Sequence, residues 1–134
     1  MSDADFLHTL TPAESDALED MGEPGTYAPG AVIFEQGGTA DCVLLVRAGR
    51  VQVSARGADG AELVLAERGP GELLGDLSGI DGQPRSASVK ALDEVRGLVL
   101  PLRAFRGFLM DHPRAAISLL ELMSRRLREA EARR

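Results

Sequence analysis

A chain of 134 residues is the size of one domain, and at this length roughly two-thirds of the surface exposed by the unfolded form is buried, so no disulfide or metal staple is required. The lone cysteine, Cys42, excludes an internal disulfide and any all-cysteine zinc or iron–sulfur site within one chain, while 44% hydrophobic and 27% charged residues exclude wholesale disorder. A net charge of −6 argues against this stretch gripping a nucleic-acid backbone alone, and the longest apolar runs, such as Val43 to Val46, are far too short to cross a bilayer.

Met1 to Leu10 carries Asp3, Asp5 and His8 but no basic segment, so no signal peptide is read and the cytoplasm is the expected compartment. Phe6 with Leu7 or Leu10 suits one packed helical turn. Thr11-Pro12-Ala13-Glu14 then predicts a helix start: a hydroxyl cap, a proline at the first helical position and a glutamate three residues after the cap. Gly22 followed by Pro24-Gly25 predicts its end.

From Tyr27 to Pro101 short apolar runs alternate with glycine-bearing turns, the texture of an all-β sandwich or barrel. The spacing predicts strands at Val32 to Glu35, Cys42 to Arg47, Arg50 to Arg56, Ala61 to Arg68, Ser86 to Leu92 and Arg96 to Leu100. Asp59-Gly60 is the strongest hairpin signal. Gly49 reads as a tight turn with positive φ, again joining a hairpin.

After Pro101 the pattern turns helical. Leu102 to Met110 is one helix, ended by Asp111-His112-Pro113, and Pro113 opens a second that runs to the end of the chain. In it Ala116, Leu120, Met123, Leu127 and Ala130 recur at spacings of 4, 3, 4 and 3, a heptad seam. A second strip, Ala115, Leu119 and Leu122, lies beside it. One strip is expected to pack on the β domain and the other on a partner helix. Arg114 to Arg134 holds six arginines and three glutamates, a local charge of +3 read as a solvated helix face. No stop signal follows Arg134, so the helix is expected either to fray there or to belong to a longer protein.

The segment least like ordinary structural sequence runs from Gly71 to Ser88. It offers a glycine that lets backbone approach a ligand, a carboxylate, a short apolar turn, then Arg85 beside hydroxyls. A helical turn over Leu77 to Ile80 leaves free N–H groups for an anion, Arg85 can pair with a phosphate while Ser86 donates to it, and Asp76 can accept from sugar hydroxyls. The competing reading is a structural turn in which Arg85 salt-bridges Asp76 or Asp81. His8 and His112 lie far apart in sequence with no His-x-His to suggest a metal centre, nothing positions a serine or cysteine nucleophile against His112, and Cys42 reads as a small buried apolar residue, so no enzyme is expected.

Gly75-Asp76-Leu77-Ser78-Gly79 followed by Pro84-Arg85-Ser86-Ala87 resembles the phosphate-binding cassette of the cyclic-nucleotide-binding domain. The resemblance extends to Pro29-Gly30 before Val32-Ile33-Phe34, to Gln36-Gly37, to Ala48-Gly49-Arg50-Val51, and to the helix after Pro113, which looks like the dimerising helix of the cAMP receptor protein (Crp/Fnr-like) family of transcription regulators. It implies a mainly β fold with flanking helices: an eight-stranded, jelly-roll-like double-stranded β-helix, a short N-terminal helix and a long C-terminal dimerisation helix. Residues 1–112 would form the nucleotide-binding β domain, and 113–134 the start of that long helix. A following helix-turn-helix domain in a longer parent would bind DNA.

The resemblance implies cAMP or cGMP as regulatory ligand, held by Gly75, Asp76, Leu77, Ser78, Arg85 and Ser86. Arg85 would neutralise the cyclic phosphate, Ser86 would bond a phosphate oxygen, Gly75 would present its N–H, and Asp76 would take the ribose 2′-OH. Family hydroxyls that contact adenine would fall near Ala130 and Glu131, neither of which supplies one. Asp76 stands where glutamate is usual and is one methylene shorter. Losing that charge-assisted bond would cost about 1.5–3 kcal/mol, roughly ten- to a hundredfold in affinity. A homodimer through the heptad seam and no membrane contact complete the expectation. The rival is a ligand-free dimerisation module of the same fold.

Overall fold

The computed structural model describes residues 5–132. Asp3, Arg133 and Arg134, counted in the charge reading, and the outer limits of the two expected domains lie outside the described residues. A single 3-10 turn at Leu7–Thr9 precedes helix α1, Pro12–Met21. Thr11 caps α1 as its sequence demands, with its hydroxyl accepting from the Glu14 N–H and the Glu14 carboxylate accepting from the Thr11 N–H.

Eight strands follow: β1 Glu23–Tyr27, β2 Val32–Phe34, β3 Cys42–Ala48, β4 Val51–Arg56, β5 Glu62–Arg68, β6 Leu73–Leu74, β7 Ser88–Ala91 and β8 Val95–Pro101. The short helix α2, Asp76–Asp81, interrupts them, and α3, Leu102–Asp111, and α4, Pro113–Ala132, close the chain. The strands form two four-stranded antiparallel sheets, ordered β1-β8-β3-β6 and β2-β7-β4-β5.

Two strands lie outside the six predicted from pattern. Pro24-Gly25, read as a helix stop, sits inside β1, where Pro24 faces Leu98. Proline is tolerated there because β1 is an outer strand of its sheet. The two-residue β6 is too short for periodicity to reveal and is defined only by pairing with Leu44 and Leu45. Gly49 has φ of +89°, and a Cβ there would lie 2.2 Å from the Glu94 carbonyl oxygen, so glycine is obligatory. The turn it makes is a crossing rather than the expected hairpin, because β3 pairs with β8 and β6 while β4 pairs with β5 and β7.

The apolar run of β3 is continuous because its sheet is covered on both faces. Val43 and Leu45 face the helices and join Phe6, Leu18, Phe105 and Leu119. Leu44 and Val46 face the other sheet and join Phe34, Val51 and Val89. Ala115, Leu119 and Leu122 of α4 are buried in the helical layer, as expected of one strip. In the heptad seam Leu120 and Leu127 are 53% and 62% exposed. Arg114, at the start of α4, grips the Glu14 carboxylate of α1 and donates to the Thr9 carbonyl, so the first turn of the long helix is tied to the N-terminal segment.

Candidate functional site

The cassette from Gly71 to Ser88 forms one wall of a cavity of about 710 Å³, a volume suited to a small organic ligand. Gly75, Asp76, Leu77, Ser78, Arg85 and Ser86 all line it. Gly75 precedes α2 with φ of +82°. A Cβ on it would lie 2.5 Å from Arg85 Nη1, so the guanidinium rests on a surface only glycine provides. At Gly79 a Cβ would come within 2.9 Å of Val43 and 3.2 Å of Phe105, which is how the short helix packs so closely on the core.

Arg85 is buried, with a side chain only 3% exposed. Its backbone is clamped to the loop after β2 by two hydrogen bonds, Arg85 N–H to Gly38 O and Gly37 N–H to Arg85 O, at 2.9 and 2.8 Å. Its guanidinium stacks 3.7 Å above the Phe34 ring, and Nη2 donates to the Cys42 carbonyl at 2.7 Å. The nearest carboxylate is that of the exposed Asp41, 3.8 Å away. The structural pairing with Asp76 or Asp81 weighed from sequence is not formed. Nε and Nη1 have no hydrogen-bond partner. A buried cation with unpartnered donors is costly, and an anion in the cavity is what those donors lack.

Asp76 points instead to Arg126 of α4, 3.6 Å away, and Arg126 stands equally far from Glu72, which Arg68 also approaches at 3.4 Å. Separations of 3.6 Å are too long for hydrogen bonds, and Nε and Nη2 of Arg126 are unpartnered as well. Burial pushes the Asp76 carboxyl above the usual carboxylate range, and the facing Arg126 guanidinium only partly offsets this. Burial, then the neighbouring Arg68 charge, lowers the Arg126 pKa, with Asp76 and Glu72 opposing.

The far wall is α4, through Leu120, Met123, Ser124, Arg126, Leu127 and Ala130. Four of the five seam residues therefore face the cavity. Ala116 and Glu131 do not line it, and Glu131 lies on the exposed side of the helix. Sequence reading passed over Phe34, Ser124 and Arg126. Phe34 is brought to Arg85 by the pairing of β2 with β7, a long-range contact without a local signal. Ser124 and Arg126 were within reach, since the helical repeat that sets Met123 and Leu127 on one face places both beside them.

The family model described as the cyclic nucleotide-binding domain matches residues 24–112. The chain belongs to the cyclic nucleotide-binding domain family. The matched residues include the Gly75-to-Ala87 segment that lines the cavity. A CRP-like cAMP-activated global transcriptional regulator from Mycobacterium tuberculosis is 30% identical over 93% of this chain and 56% of its own length. A cyclic AMP receptor protein from Thermus thermophilus is 34% identical over 98% of this chain and 61% of its own length. The crystal structure of Thermus thermophilus catabolite activator protein superposes with a TM-score of 0.86 at 34% identity, covering 96% of this chain and 60% of that one. This cyclic nucleotide-binding domain is thus homologous to Crp-type regulators, and it spans 56% and 61% of the length of these two relatives.

Proposed function

We propose that the cavity binds a 3′,5′-cyclic nucleotide, cAMP or cGMP, and that this chain is the effector-binding part of a cytoplasmic Crp/Fnr-like transcription regulator. The observation that carries the reading is Arg85: a buried guanidinium stacked on Phe34, with Nε and Nη1 unpartnered, in a cavity lined by the segment that resembles the family cassette. The cyclic phosphate pairs with Arg85 and is bonded by Ser86 and the Gly75 N–H. Asp76 receives the ribose 2′-OH, exchanging some of its attraction to Arg126 for that hydrogen bond. Both relatives cited are named for cAMP and one of them for transcriptional regulation, which supports a regulatory reading.

Ligand binding is a population shift. Cassette and α4 meet through Asp76 and Arg126, so a nucleotide that engages Asp76 changes how α4 lies on the β domain. The α4 seam, Ala116, Leu120, Met123, Leu127 and Ala130, joins two copies, and a helix-turn-helix domain in a longer parent chain binds DNA.

The test is calorimetric titration of the domain with cAMP and cGMP, alongside Arg85→Gln. Saturable binding by the parent chain and a loss of at least about tenfold in the variant are expected, since a charge-assisted pair is removed. No heat and an unchanged melting curve with either nucleotide at millimolar concentration overturn the reading.

A further inference from the structure

The N-terminal turn is bound at both ends. Asp5, 5% exposed, lies beneath the turn that leads into the cassette: Gly71 has φ of +89°, and a Cβ on it would fall 2.7 Å from the Asp5 carboxyl carbon. Beside it the Leu7 N–H donates to the Gly71 carbonyl at 3.0 Å. His8 holds the Asp5 carboxylate in place, its backbone N–H donating at 2.8 Å and its Nδ1 lying 2.5 Å away. At the other end the Thr9 carbonyl accepts from Arg114 at the start of α4, and between the two Phe6 is buried in the cluster that holds Leu73, Leu119 and Leu122. Residues 5–9 therefore strap the entry of the cassette to the root of α4.

Glu72 links this strap to the ligand site. It follows Gly71, is 8% exposed, and accepts from the Gly69 N–H through one carboxylate oxygen at 2.8 Å. The other oxygen stands 3.4 Å from Arg68 and 3.6 Å from Arg126. Arg126 is equally far from Asp76, so it is shared between two carboxylates without bonding either. A guanidinium with unpartnered buried donors, held between two acids, settles on one of them as soon as the other is taken.

Resting on the cyclic-nucleotide reading above, in which the ribose hydroxyl occupies Asp76, we propose that residues 5–9 are a strap that tightens when nucleotide binds. Arg126 leaves its shared position for Glu72, Glu72 steadies the Gly71 turn, and that turn holds Leu7 and Asp5. Asp5 does not line the cavity and acts as a positioning residue. Linkage makes the effect reciprocal: the factor by which nucleotide favours the closed strap is the factor by which the closed strap favours nucleotide.

The experiment follows amide hydrogen exchange at Leu7, with and without saturating cAMP or cGMP, in the parent chain and in Glu72→Gln, which keeps an acceptor for Gly69 but loses the charge that draws Arg126. Nucleotide should slow the Leu7 amide about 5- to 10-fold in the parent, the low end of coupling between sites, and not in Glu72→Gln. The Ser15 amide, bonded to Thr11 at the start of α1, is the control and should keep its rate. By calorimetry Asp5→Ala should bind nucleotide up to about 5- to 10-fold more weakly, Asp5→Asn, which still accepts from the His8 N–H, should recover most of that, and Leu18→Ala, a core change in α1, should lower the melting temperature without lowering affinity. A Leu7 amide unmoved by a nucleotide that binds, or slowed equally with Ser15 or in Glu72→Gln, overturns the strap and leaves the cyclic-nucleotide reading standing. So does an Asp5→Ala variant that loses stability but keeps the parent affinity. A parent chain that binds neither nucleotide overturns both readings.

Discussion

Arg85 and Gly75 act as one unit. The guanidinium stays in the cavity wall because Phe34 stacks on it, the Cys42 carbonyl holds Nη2, and the absent Cβ of Gly75 leaves room for Nη1. Arg85 therefore belongs to the fold as well as to the site, so its variants are read by affinity and stability together. Gly75→Ala is the sharper probe, because it leaves every charge in place. A side chain at φ of +82° costs about 1–2 kcal/mol, and the added methyl must push Arg85 aside. Chemical denaturation should show a loss of that order, and titration should show weakened nucleotide binding in protein that is still folded. Unchanged affinity would mean that the position of Arg85 does not govern phosphate capture.

Among the elements, α4 has two apolar strips with different fates. Leu119 and Leu122 are 1% and 3% exposed in the helical layer, whereas Leu127 is 62% exposed beside the cavity. Leu119→Ala should cost about 2–4 kcal/mol in urea unfolding, the penalty of a core cavity, while Leu127→Ala should stay within about 0.5 kcal/mol in the monomer. The same helix is anchored at its start by Arg114 on Glu14. That guanidinium, above all through its hydrogen bond, holds the Glu14 carboxyl well below the usual carboxylate range, at about 2. A carboxylate whose pKa is lowered by folding stabilises the fold above its unfolded pKa of 4.5, and that contribution drains away as the pH falls from there towards 2. Melting temperatures measured between pH 5 and pH 2.5 should fall, and fall less steeply in Glu14→Gln.

For the molecule as a whole, the proposed function gives one surface two purposes. Leu120, Met123, Leu127 and Ala130 line the cavity and also make up most of the heptad seam, so in the proposed function ligand and partner helix share one stripe. Sedimentation equilibrium should find a dimer, and Leu127→Glu, which sets a carboxylate on that stripe, should shift it towards monomer. A parent chain that stays monomeric at high concentration would sink the seam. A dimer whose association constant moves with saturating nucleotide would show the two purposes coupled, as thermodynamic linkage requires.

Several of these features were legible in the residues alone. The Thr11 capping box, the turn at Asp59-Gly60, the break at Pro113 and the Gly75-to-Ala87 cassette are local signals, because caps, turns and glycine-dependent conformations are decided by neighbours in the chain. The charge distribution and the two strips of α4 were also visible, since helical period is a property of sequence. What folding decided is which distant groups meet. β1 exists because a sheet edge tolerates Pro24, β6 because Leu44 and Leu45 are there to pair with it, and the Gly49 turn crosses between sheets because strand partners are chosen by burial on both faces. At the site, the cassette residues came from the sequence and the helical repeat sets Ser124 and Arg126 beside Met123 and Leu127, whereas Phe34 beneath Arg85 and the meeting of Asp76 with Arg126 are products of tertiary packing, which brings together groups distant in the chain.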